Sequence, residues 1–577
     1  MARDGIQALP ADLFHLLSAE LSDRADFPTL FNCVVSSKQL ANAGALSALY
    51  RWVKGRFWHF RIAHPLTACN SISHDSPIKG GGSEDLTLAE QNQTVQRWSI
   101  LWRTIILSAL GKTVYPYCRH LRQLDLRDLG NLLDDDKFRG KTAANFFADD
   151  LARFEHVLGT PMKAGLRKTQ KRFDISKIVA AIGDVITEQS PMLEGLTEPT
   201  TGDMLTRSLP QWAPRLSHLQ SLDLWDGKAL ANETVRNLLH VHCSHLQRLR
   251  IYSWAAPDAD LHLADFLSGM PENTLTEFEN ISLCTIGPET CSALNHHGKS
   301  LVFLKLGLVE EGVLALGFLQ GCTALQTINI TSFRPSVDLK ATQNDVFLQI
   351  VEWLKSCKSL ADITLGNLVS APDLLLPVLI SKDIRLQKLE IGARDESAYL
   401  IKDHRGFHEG LTQQTGLREL ILRADPESVT RDDLDVLMNA FCSLKDLRTL
   451  NLPRFSDYFS EEHLRLLAVH LTKLEEIYFG GYGLTDLIWP SLASLEYLQN
   501  ITFSGITNFT ADGILGFFEQ LGDSNRGLLL SIDAADPDTM MTQEEQDLVR
   551  EALAAKVDGR FQYQPLRGTI WGPAIAI

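Results

Sequence analysis

A chain of 577 residues exceeds one compact core, because a domain averages about 150 residues. Its composition, 45% apolar and 22% charged, is that of a folded protein. The formal charge of -16 opposes non-specific attraction to nucleic acid or to an anionic membrane, so we expect neither as a partner.

The apolar stretches and the cysteines indicate the cellular compartment of the protein. The longest near-continuous apolar stretches, such as 374–380, fall far short of the ~20 residues that cross a bilayer. The N-terminus lacks the apolar run of a signal peptide. Nine cysteines without a C-x-x-C pair predict free thiols in a reducing compartment. We therefore expect a cytoplasmic or nuclear protein, or one found in both.

Residues 8–51 predict a module of three short helices. Pro10 sits in the tolerated first turn of a helix whose apolar stripe is Leu13, Leu16, Leu17 and Leu21. Asp26 is placed to cap a second helix, which carries Phe27, Leu30, Phe31 and Val34. A third helix is expected over about 38–51.

This module resembles the F-box, whose pattern runs Leu-Pro, spaced leucines, Asp-Leu, Leu-x-x-x-Val and a closing Leu-Tyr/Trp-Arg. The matching residues, in order, are Leu9, Pro10, Leu13, Leu17, Leu21, Asp26, Phe27, Leu30, Val34, Leu49, Tyr50 and Arg51. The usual Cys/Ser-Arg/Lys-x-Trp segment is met by Ser37-Lys38 without its Trp. The alternative is a helical cap that seals the open end of a repeat array.

Residues 52–120 are expected to connect this module to the rest. Residues 69–93 are rich in Gly, Ser and Asn and predict a flexible loop. A strongly apolar helix over 98–110 is well placed to cap the array that follows. The segment 97–129 also resembles the opening segment of fungal F-box proteins with leucine-rich repeats.

A repeat occupies most of the remaining chain. The pattern L-x-x-L-x-L, with some Ile or Phe, opens at Leu219, Leu246, Leu301, Leu325, Leu360, Leu386, Leu417, Leu447, Leu474 and Leu498. A degenerate copy starts at Leu275 and an outlying one at Leu121, and successive starts from Leu219 are 24 to 35 residues apart. This is the period of leucine-rich repeats. The sequence therefore predicts an α/β leucine-rich-repeat solenoid over 121–535, a horseshoe with a parallel inner sheet and outer helices.

Four cysteines fit the same repeat. Cys118, Cys243, Cys322 and Cys357 each lie three residues before the first Leu of a repeat, as in the cysteine-containing subclass of these repeats that they resemble. The competing idea is a zinc site at His240, His242, Cys243 and His245. Their spacing matches no standard zinc pattern, so we expect no metal.

The residues that flank the core positions of each strand should line the concave face. The middle column begins Asp223, Arg250, Glu279, Lys305, a ladder of alternating charge that would neutralise itself. The next column places Trp225, Tyr252 and Arg423 on the same face. Aromatic and Arg side chains dominate interface energies, so Trp225, Arg250, Tyr252 and Arg423 are the candidate substrate-binding residues. The alternative is partial burial of Trp225 and Tyr252 against an insertion at about 130–215.

The C-terminal part, 536–577, predicts a last helix and a tail. Thr542 and Glu545 fit a capping box that opens a helix to about Lys556.

No nucleotide-binding glycine loop, G-x-S-x-G elbow or H-E-x-x-H helix is present in the sequence. We therefore expect no catalytic residues and no cofactor. The resemblance implies instead a substrate-recognition adaptor of an SCF ubiquitin ligase, in which the F-box docks on the Skp adaptor of a cullin complex. Leu9, Pro10, Leu13, Leu17, Leu30 and Val34 would then bind that adaptor or shape its docking surface. The second hypothesis is a repeat scaffold or binding protein outside ubiquitin transfer.

Overall fold

The structure is a computed structural model that describes residues 11–24, 26–36, 40–45, 48, 88–158, 172–200, 203–333, 338–392 and 399–566. The chain divides into two compact units, Met1–Cys284 and Thr285–Ile577.

In its described residues, the first unit begins with the helical module and continues into five strands. Its α-helices are α1 Ala11–Asp23, α2 Phe27–Ser36, α3 Leu88–Ala109, α4 Leu126–Asp134, α5 Lys141–Phe146, α6 Ile175–Gln189, α7 Met204–Trp212, α8 Glu233–His242 and α9 Ala259–Gly269. Its strands are β1 Gln123–Asp125, β2 Gly195–Thr197, β3 Ser221–Asp226, β4 Arg248–Ser253 and β5 Glu277–Asn280. Shorter helical turns are Ala41–Ala45, Tyr117–His120, Asp149–Phe154, Ala213–Arg215 and Gly227–Ala231.

The five strands pair in chain order, and every ladder between them is parallel. The apolar positions of each L-x-x-L-x-L strand point into the core, as Leu222 and Leu224 do in β3. The flanking residues are half-buried on the other face. This alternation is what a strand covered on one side requires.

Strand β2 corrects the expected insertion at about 130–215. Gly195–Thr197 pairs with β1 on one side and with β3 on the other. Part of that stretch is therefore a repeat of its own. Its sequence conceals this because Glu198 stands where the third apolar residue of the pattern belongs.

Helix α3 also differs from the expectation at its start. A flexible loop was predicted over 69–93, but α3 begins at Leu88, so residues 88–93 are helical. Trp98 and Trp102 are buried in this helix, and both indole N–H groups donate to Asp128 Oδ2, at 2.8 and 2.9 Å. The helix is thereby joined to α4, which directly follows β1.

The second unit carries eleven α-helices and twelve strands in its described residues. The helices are α10 Pro288–Leu294, α11 Glu310–Ala315, α12 Leu339–Thr342, α13 Asn344–Ser356, α14 Ala371–Leu379, α15 Arg405–Leu411, α16 Arg431–Ser443, α17 Glu461–His470, α18 Trp489–Ala493, α19 Ala511–Glu519 and α20 Gln543–Val557. The strands are β6 Phe303–Leu308, β7 Thr327–Ser332, β8 Asp362–Gly366, β9 Lys388–Gly392, β10 Glu419–Leu422, β11 Thr449–Leu452, β12 Glu476–Phe479, β13 Tyr482–Thr485, β14 Asn500–Phe503, β15 Ile506–Asn508, β16 Leu529–Ala535 and β17 Arg560–Pro565. Short 3-10 turns are Asn295–His297, Leu316–Phe318, Ile401–Asp403, Asp486–Ile488 and Asp523–Asn525.

The ladders of the second unit are parallel as well, and their registers follow the repeat. The middle column predicted from the sequence is continuous in this unit. Each of its residues pairs with the next one in the series Lys305, Asn329, Thr364, Glu390, Ile421, Asn451, Tyr478 and Thr502. Capping boxes at Thr430 and Thr542 begin α16 and α20. The second of these confirms the predicted last helix.

The array extends beyond its expected end at residue 535. Strand β17 pairs in parallel with β16, and Phe561 is buried. Residues 560–565 of the predicted tail are therefore a further strand. The residues from 567 onward lie outside the described part of the chain.

Among the described residues, no helix has both the length and the apolar character needed to cross a bilayer.

Candidate functional site

The helical module separates the predicted adaptor-binding residues into two groups. Leu13 and Leu17 on α1 are 48% and 54% exposed, and Leu16 between them is 65% exposed. Leu30 and Val34 on α2 are 0% and 8% exposed. The exposed leucines recur at the three- and four-residue spacing that places them on one face of the helix. Leu9 and Pro10 lie outside the described residues.

Leu30 and Val34 form the core of the module. They pack with Ala41, Ala45 and Ala48. Partly buried side chains from Leu21, Cys33, Tyr115 and Tyr117 cover this core. Asp26 begins α2 as predicted, because its Oδ1 accepts the N–H of Thr29 at 3.1 Å.

The three candidate substrate-binding residues of the first unit lie on the neighbouring strands β3 and β4. The rings of Trp225 and Tyr252 stack with their centroids 3.9 Å apart and their planes at 11°. Both side chains are half-buried. A stacked pair that stays partly open to solvent offers flat apolar area together with an indole N–H and a phenol O–H, which suits a protein partner.

Arg250 is held by carboxylates from both adjacent strands. It pairs with Asp223 Oδ2 at 3.4 Å and with Glu279 Oε2. Burial lowers the pKa of Arg250, but the two carboxylates outweigh it and the net effect raises the pKa. The ion pairs of Arg250 with Asp223 and Glu279 therefore join β3, β4 and β5.

Glu198 supports this surface from beneath and was not among the predicted residues. Its carboxylate accepts the N–H groups of Trp225 at 2.9 Å, Asp226 at 3.3 Å and Leu205 at 3.2 Å. The side chain is 2% exposed, and burial raises its pKa to about 7. Glu198 thus fixes the backbone of β3 at the position of Trp225.

Arg423 belongs to the second unit and follows β10. Its backbone N–H donates to Ile391 O at 2.9 Å, and its side chain is half-buried. Burial raises the pKa of Tyr478, which the nearby Arg423 opposes. Arg423 is therefore near enough to Tyr478, an aromatic residue of the middle column, to affect its pKa.

A cavity of about 710 Å³ in the second unit lies among the loops that follow its strands and is lined by residues of both charges. Lys340 Nζ pairs there with Asp373 Oδ1 at 2.7 Å. Asp338 is used locally, because its Oδ1 accepts from Ser370 Oγ at 2.9 Å and from Ala341 N at 3.2 Å. These contacts order the loops.

The cysteines at the recurring position are buried thiols with structural contacts. Burial raises the pKa values of Cys243, Cys322 and Cys357 to about 12. The ring of His240, from the competing zinc hypothesis, stacks on Phe266 and lies 2.9 Å from its carbonyl oxygen. The ranges that the structure describes hold no group of three or more His, Cys, Asp or Glu residues arranged for a metal ion.

Comparison with known proteins finds solved structures that resemble this chain at low sequence identity. No family model matches the chain, and no curated protein matches it. An internalin from Listeria monocytogenes is 15% identical, with a TM-score of 0.31 over 57% of this chain and 77% of that chain. A chain of the Rad7 and Elc1 complex of yeast is 12% identical, with a TM-score of 0.35 over 80% of this chain and 97% of that one. A chain of the TLR13–ssRNA13 complex is 13% identical, with a TM-score of 0.28 over 65% of each chain.

The class follows from the strands themselves: short parallel strands alternate with helices or turns along each unit, and each repeat contributes one or two of them. The chain has a leucine-rich-repeat fold.

Proposed function

We propose that this chain is the substrate-recognition subunit of an SCF-type ubiquitin ligase. The helical module docks on a Skp-type adaptor and its cullin complex, and the repeats hold a substrate protein. The chain itself carries no catalytic residue and acts in the cytoplasm or nucleus. Its contribution is proximity, because binding raises the local concentration of a substrate lysine near the conjugating enzyme.

The observation that carries the proposal is the exposed face of α1. Leu13, Leu16 and Leu17 lie in solvent, whereas the core of the module is already filled by Leu30 and Val34. Burying a leucine side chain is worth about 1.5–3 kcal/mol. Three leucines on one open face therefore favour a partner that covers them.

Adaptor binding by the full chain tests this. The variant Leu13→Ser/Leu17→Ser removes two exposed leucines without touching the core, so binding to a purified Skp-type adaptor should weaken at least about 100-fold. The control Leu487→Ser/Leu548→Ser removes two leucines that are exposed elsewhere. Calorimetric titration gives the affinities, and absence of binding by the wild-type chain would reject the proposal.

The second candidate, a repeat scaffold with a helical cap, is favoured by the contact of the module with Tyr115 and Tyr117. These residues follow α3, so the module is joined to the segment that opens the array. Such packing suits a cap. The same titration separates the two functions, because a cap has no reason to bind the adaptor.

Substrate binding is proposed for the stacked pair on β3 and β4. Trp225→Ala/Tyr252→Ala removes the two rings, and each ring in an interface core contributes about 2 kcal/mol or more. Proteins recovered with the chain and ubiquitinated in its presence should be lost in this variant while adaptor binding persists. Tyr458→Ala/Tyr482→Ala, which removes two exposed rings of the second unit, is the control. An unchanged set of recovered proteins would contradict the assignment.

A further inference from the structure

A second, smaller cavity of the second unit is bordered by cations. It has a volume of about 320 Å³ and lies where β9 to β12 begin. Arg385, Arg418, Arg448 and Lys473 line it, with Asp446 as its one carboxylate. This basic cavity, defined by those four cations, is unusual in a chain that carries 71 acidic against 55 basic side chains.

The repeat shows how two of these arginines come together. Arg418 and Arg448 each directly follow the first Leu of a repeat, a position that is uncharged in the preceding repeats from Gln220 to Gln387. The N–H of Arg418 donates to Gln387 O, and the N–H of Arg448 donates to Arg418 O, both at 2.8 Å. The two arginines therefore lie side by side, directly before the adjacent strands β10 and β11, which are about 4.8 Å apart.

Adjacent like charges oppose the usual pairing between strands. Elsewhere in this unit, Asp362, Lys388 and Glu419 are paired across successive strands, and Lys388 Nζ lies 3.3 Å from Glu419 Oε2. Like charges directly opposite each other destabilise a sheet. Nothing in the fold of β10 and β11 requires Arg at both positions, because Gln and Ala fill the same position in neighbouring repeats.

Nearby carboxylates pair with only two of the four cations of the basic cavity. Lys473 Nζ pairs with Asp446 Oδ1 at 2.6 Å, and Arg448 pairs with Glu475 Oε1 at 2.9 Å. Neither Arg385 nor Arg418 forms an ion pair with a described residue, although Arg385 reaches the carbonyl oxygen of Gln413 at 3.5 Å. About two positive charges are left over, both on guanidinium groups.

We infer that the basic cavity binds a phosphate ester. A phosphate monoester carries about two negative charges at neutral pH, which matches the charge left by Arg385 and Arg418. Guanidinium groups bind phosphate oxygens through paired N–H donors, a geometry that Lys cannot reproduce. The cavity also has room for part of the group that bears the phosphate, because Gly416 lines it and an added Cβ there meets no atom within 4 Å.

The phosphate could be borne by a phosphorylated peptide side chain or by a small soluble phosphate compound. The two sources share the chemistry that the cavity recognises. The inference does not depend on ubiquitin transfer, since the residues of the cavity belong to the second unit and the exposed leucines of α1 to the first. Failure of one proposal leaves the other standing.

Binding to the full chain at constant ionic strength tests the inference. The probes are inorganic phosphate, a phosphoserine peptide and the same peptide without phosphate. Calorimetric titration of the wild-type chain should show phosphate-dependent binding, and Arg385→Gln/Arg418→Gln should weaken it about tenfold or more. Arg526→Gln is the matched control, an exposed arginine of the same unit outside the cavity. Gly416→Glu is a second test, since it adds a carboxylate and leaves every arginine in place.

Each outcome has a defined meaning. Tighter binding of the phosphopeptide than of inorganic phosphate assigns a peptide source, and equal binding of the two assigns a small phosphate compound. No preference of the wild-type chain for phosphate over chloride overturns the inference. An equal loss in Arg526→Gln also overturns it, because binding would then follow net charge and not this cavity.

Discussion

Glu198 is an ionisable side chain at a core position of its repeat. The register of β2 with β3 pairs Leu196 with Leu222 and Thr197 with Asp223, so Glu198 is level with Leu224. Three backbone N–H groups satisfy its carboxylate. Asn280 holds the same position in β5, is fully buried, and donates to Ser282 O at 3.3 Å. Polar residues are tolerated at this position where local backbone groups supply their hydrogen bonds.

Glu198 predicts a pH dependence of stability with an unusual sign. Its pKa rises from 4.5 to about 7 in the folded chain, so the folded state binds this proton more tightly than the unfolded state. The free energy of unfolding therefore decreases as the pH rises from 4.5 to about 7. The loss is complete above the folded pKa and amounts to roughly 3 kcal/mol at most. In Glu198→Gln the side chain stays neutral, and the loss should vanish.

The measurement is thermal unfolding at about pH 5 and about pH 8, on either side of the folded pKa. The melting temperature of Glu198→Gln minus that of the wild type should become more positive at the higher pH. Glu188→Gln, an exposed carboxylate on α6, controls for net charge. Parallel pH profiles for the wild type and Glu198→Gln would show that Glu198 does not titrate as its burial requires.

Most of the turns that connect a helix to the next strand share one buried residue. It lies three positions before the first Leu and is Cys243, Cys322 or Cys357 in some repeats, and Gln414 or Asn525 in others. The polar atom of this residue commonly reaches back to the preceding repeat. Cys243 Sγ lies 3.5 Å from Leu216 O, and Asn525 Nδ2 donates to Leu498 O at 2.9 Å. The recurrence seen in the cysteines therefore marks a joint between successive repeats.

Gln414 should be the costliest of these residues to truncate. Its Nε2 donates to Leu379 O at 2.7 Å, and its Oε1 accepts the N–H of Leu386 at 2.9 Å. Gln414→Ala leaves both buried backbone groups unpaired and opens a cavity, so unfolding free energy should fall by about 3 kcal/mol. Urea denaturation measures the loss.

Two variants sharpen this prediction. Gln413→Ala removes an exposed neighbour and should be nearly neutral. The unfolding free energy of Gln414→Leu should lie between those of Gln414→Ala and Gln413→Ala. Leu can fill the position, as Leu444 and Leu471 do in later repeats, but the N–H of Leu386 would still lack its acceptor. If Gln414→Leu matches the wild type, the hydrogen bonds of Gln414 contribute nothing to the joint.

Over the whole molecule, the repeat was predictable wherever Leu, Ile or Phe held the core positions. The register of the middle column from Lys305 to Thr502 follows directly from that alternation. Two strands were not predictable: Glu198 replaces the last apolar residue of the pattern at β2, and β17 uses Phe561 and Tyr563 without the leucines. In such repeats the neighbouring strand, and not the local sequence, decides that the segment is extended.

The site was less accessible to sequence than the fold. Trp225 and Tyr252 were predictable as neighbours, because they occupy equal places in consecutive repeats. Leu13 and Leu30 could not be separated, since core and docking leucines share one helical period. The basic cavity combines residues just before and just after the first Leu of several repeats, so no single motif reveals it.

Thiol labelling tests the burial pattern of both units at once. Cys118, Cys243 and Cys284 are buried in the first unit and Cys291, Cys322 and Cys357 in the second, whereas Cys33 and Cys442 are half-buried. Only the thiolate reacts, and burial raises the pKa of Cys243, Cys284, Cys322 and Cys357 to about 12. In the native chain, Cys33 and Cys442 should therefore react long before the six buried thiols. Mass spectrometry of labelled peptides measures each site apart from Cys69, which lies outside the described residues.

Labelling across a urea series then distinguishes the two units. The three buried thiols of a unit should become reactive together, because each unit has its own core, and the order in which the two sets respond shows which unit opens first. If Cys322 or Cys357 reacts as fast as Cys442 without denaturant, the joint between those repeats is open in solution and the proposed burial is wrong. If the three thiols of one unit respond at separate urea concentrations, its repeats unfold stepwise, as a nearest-neighbour array permits.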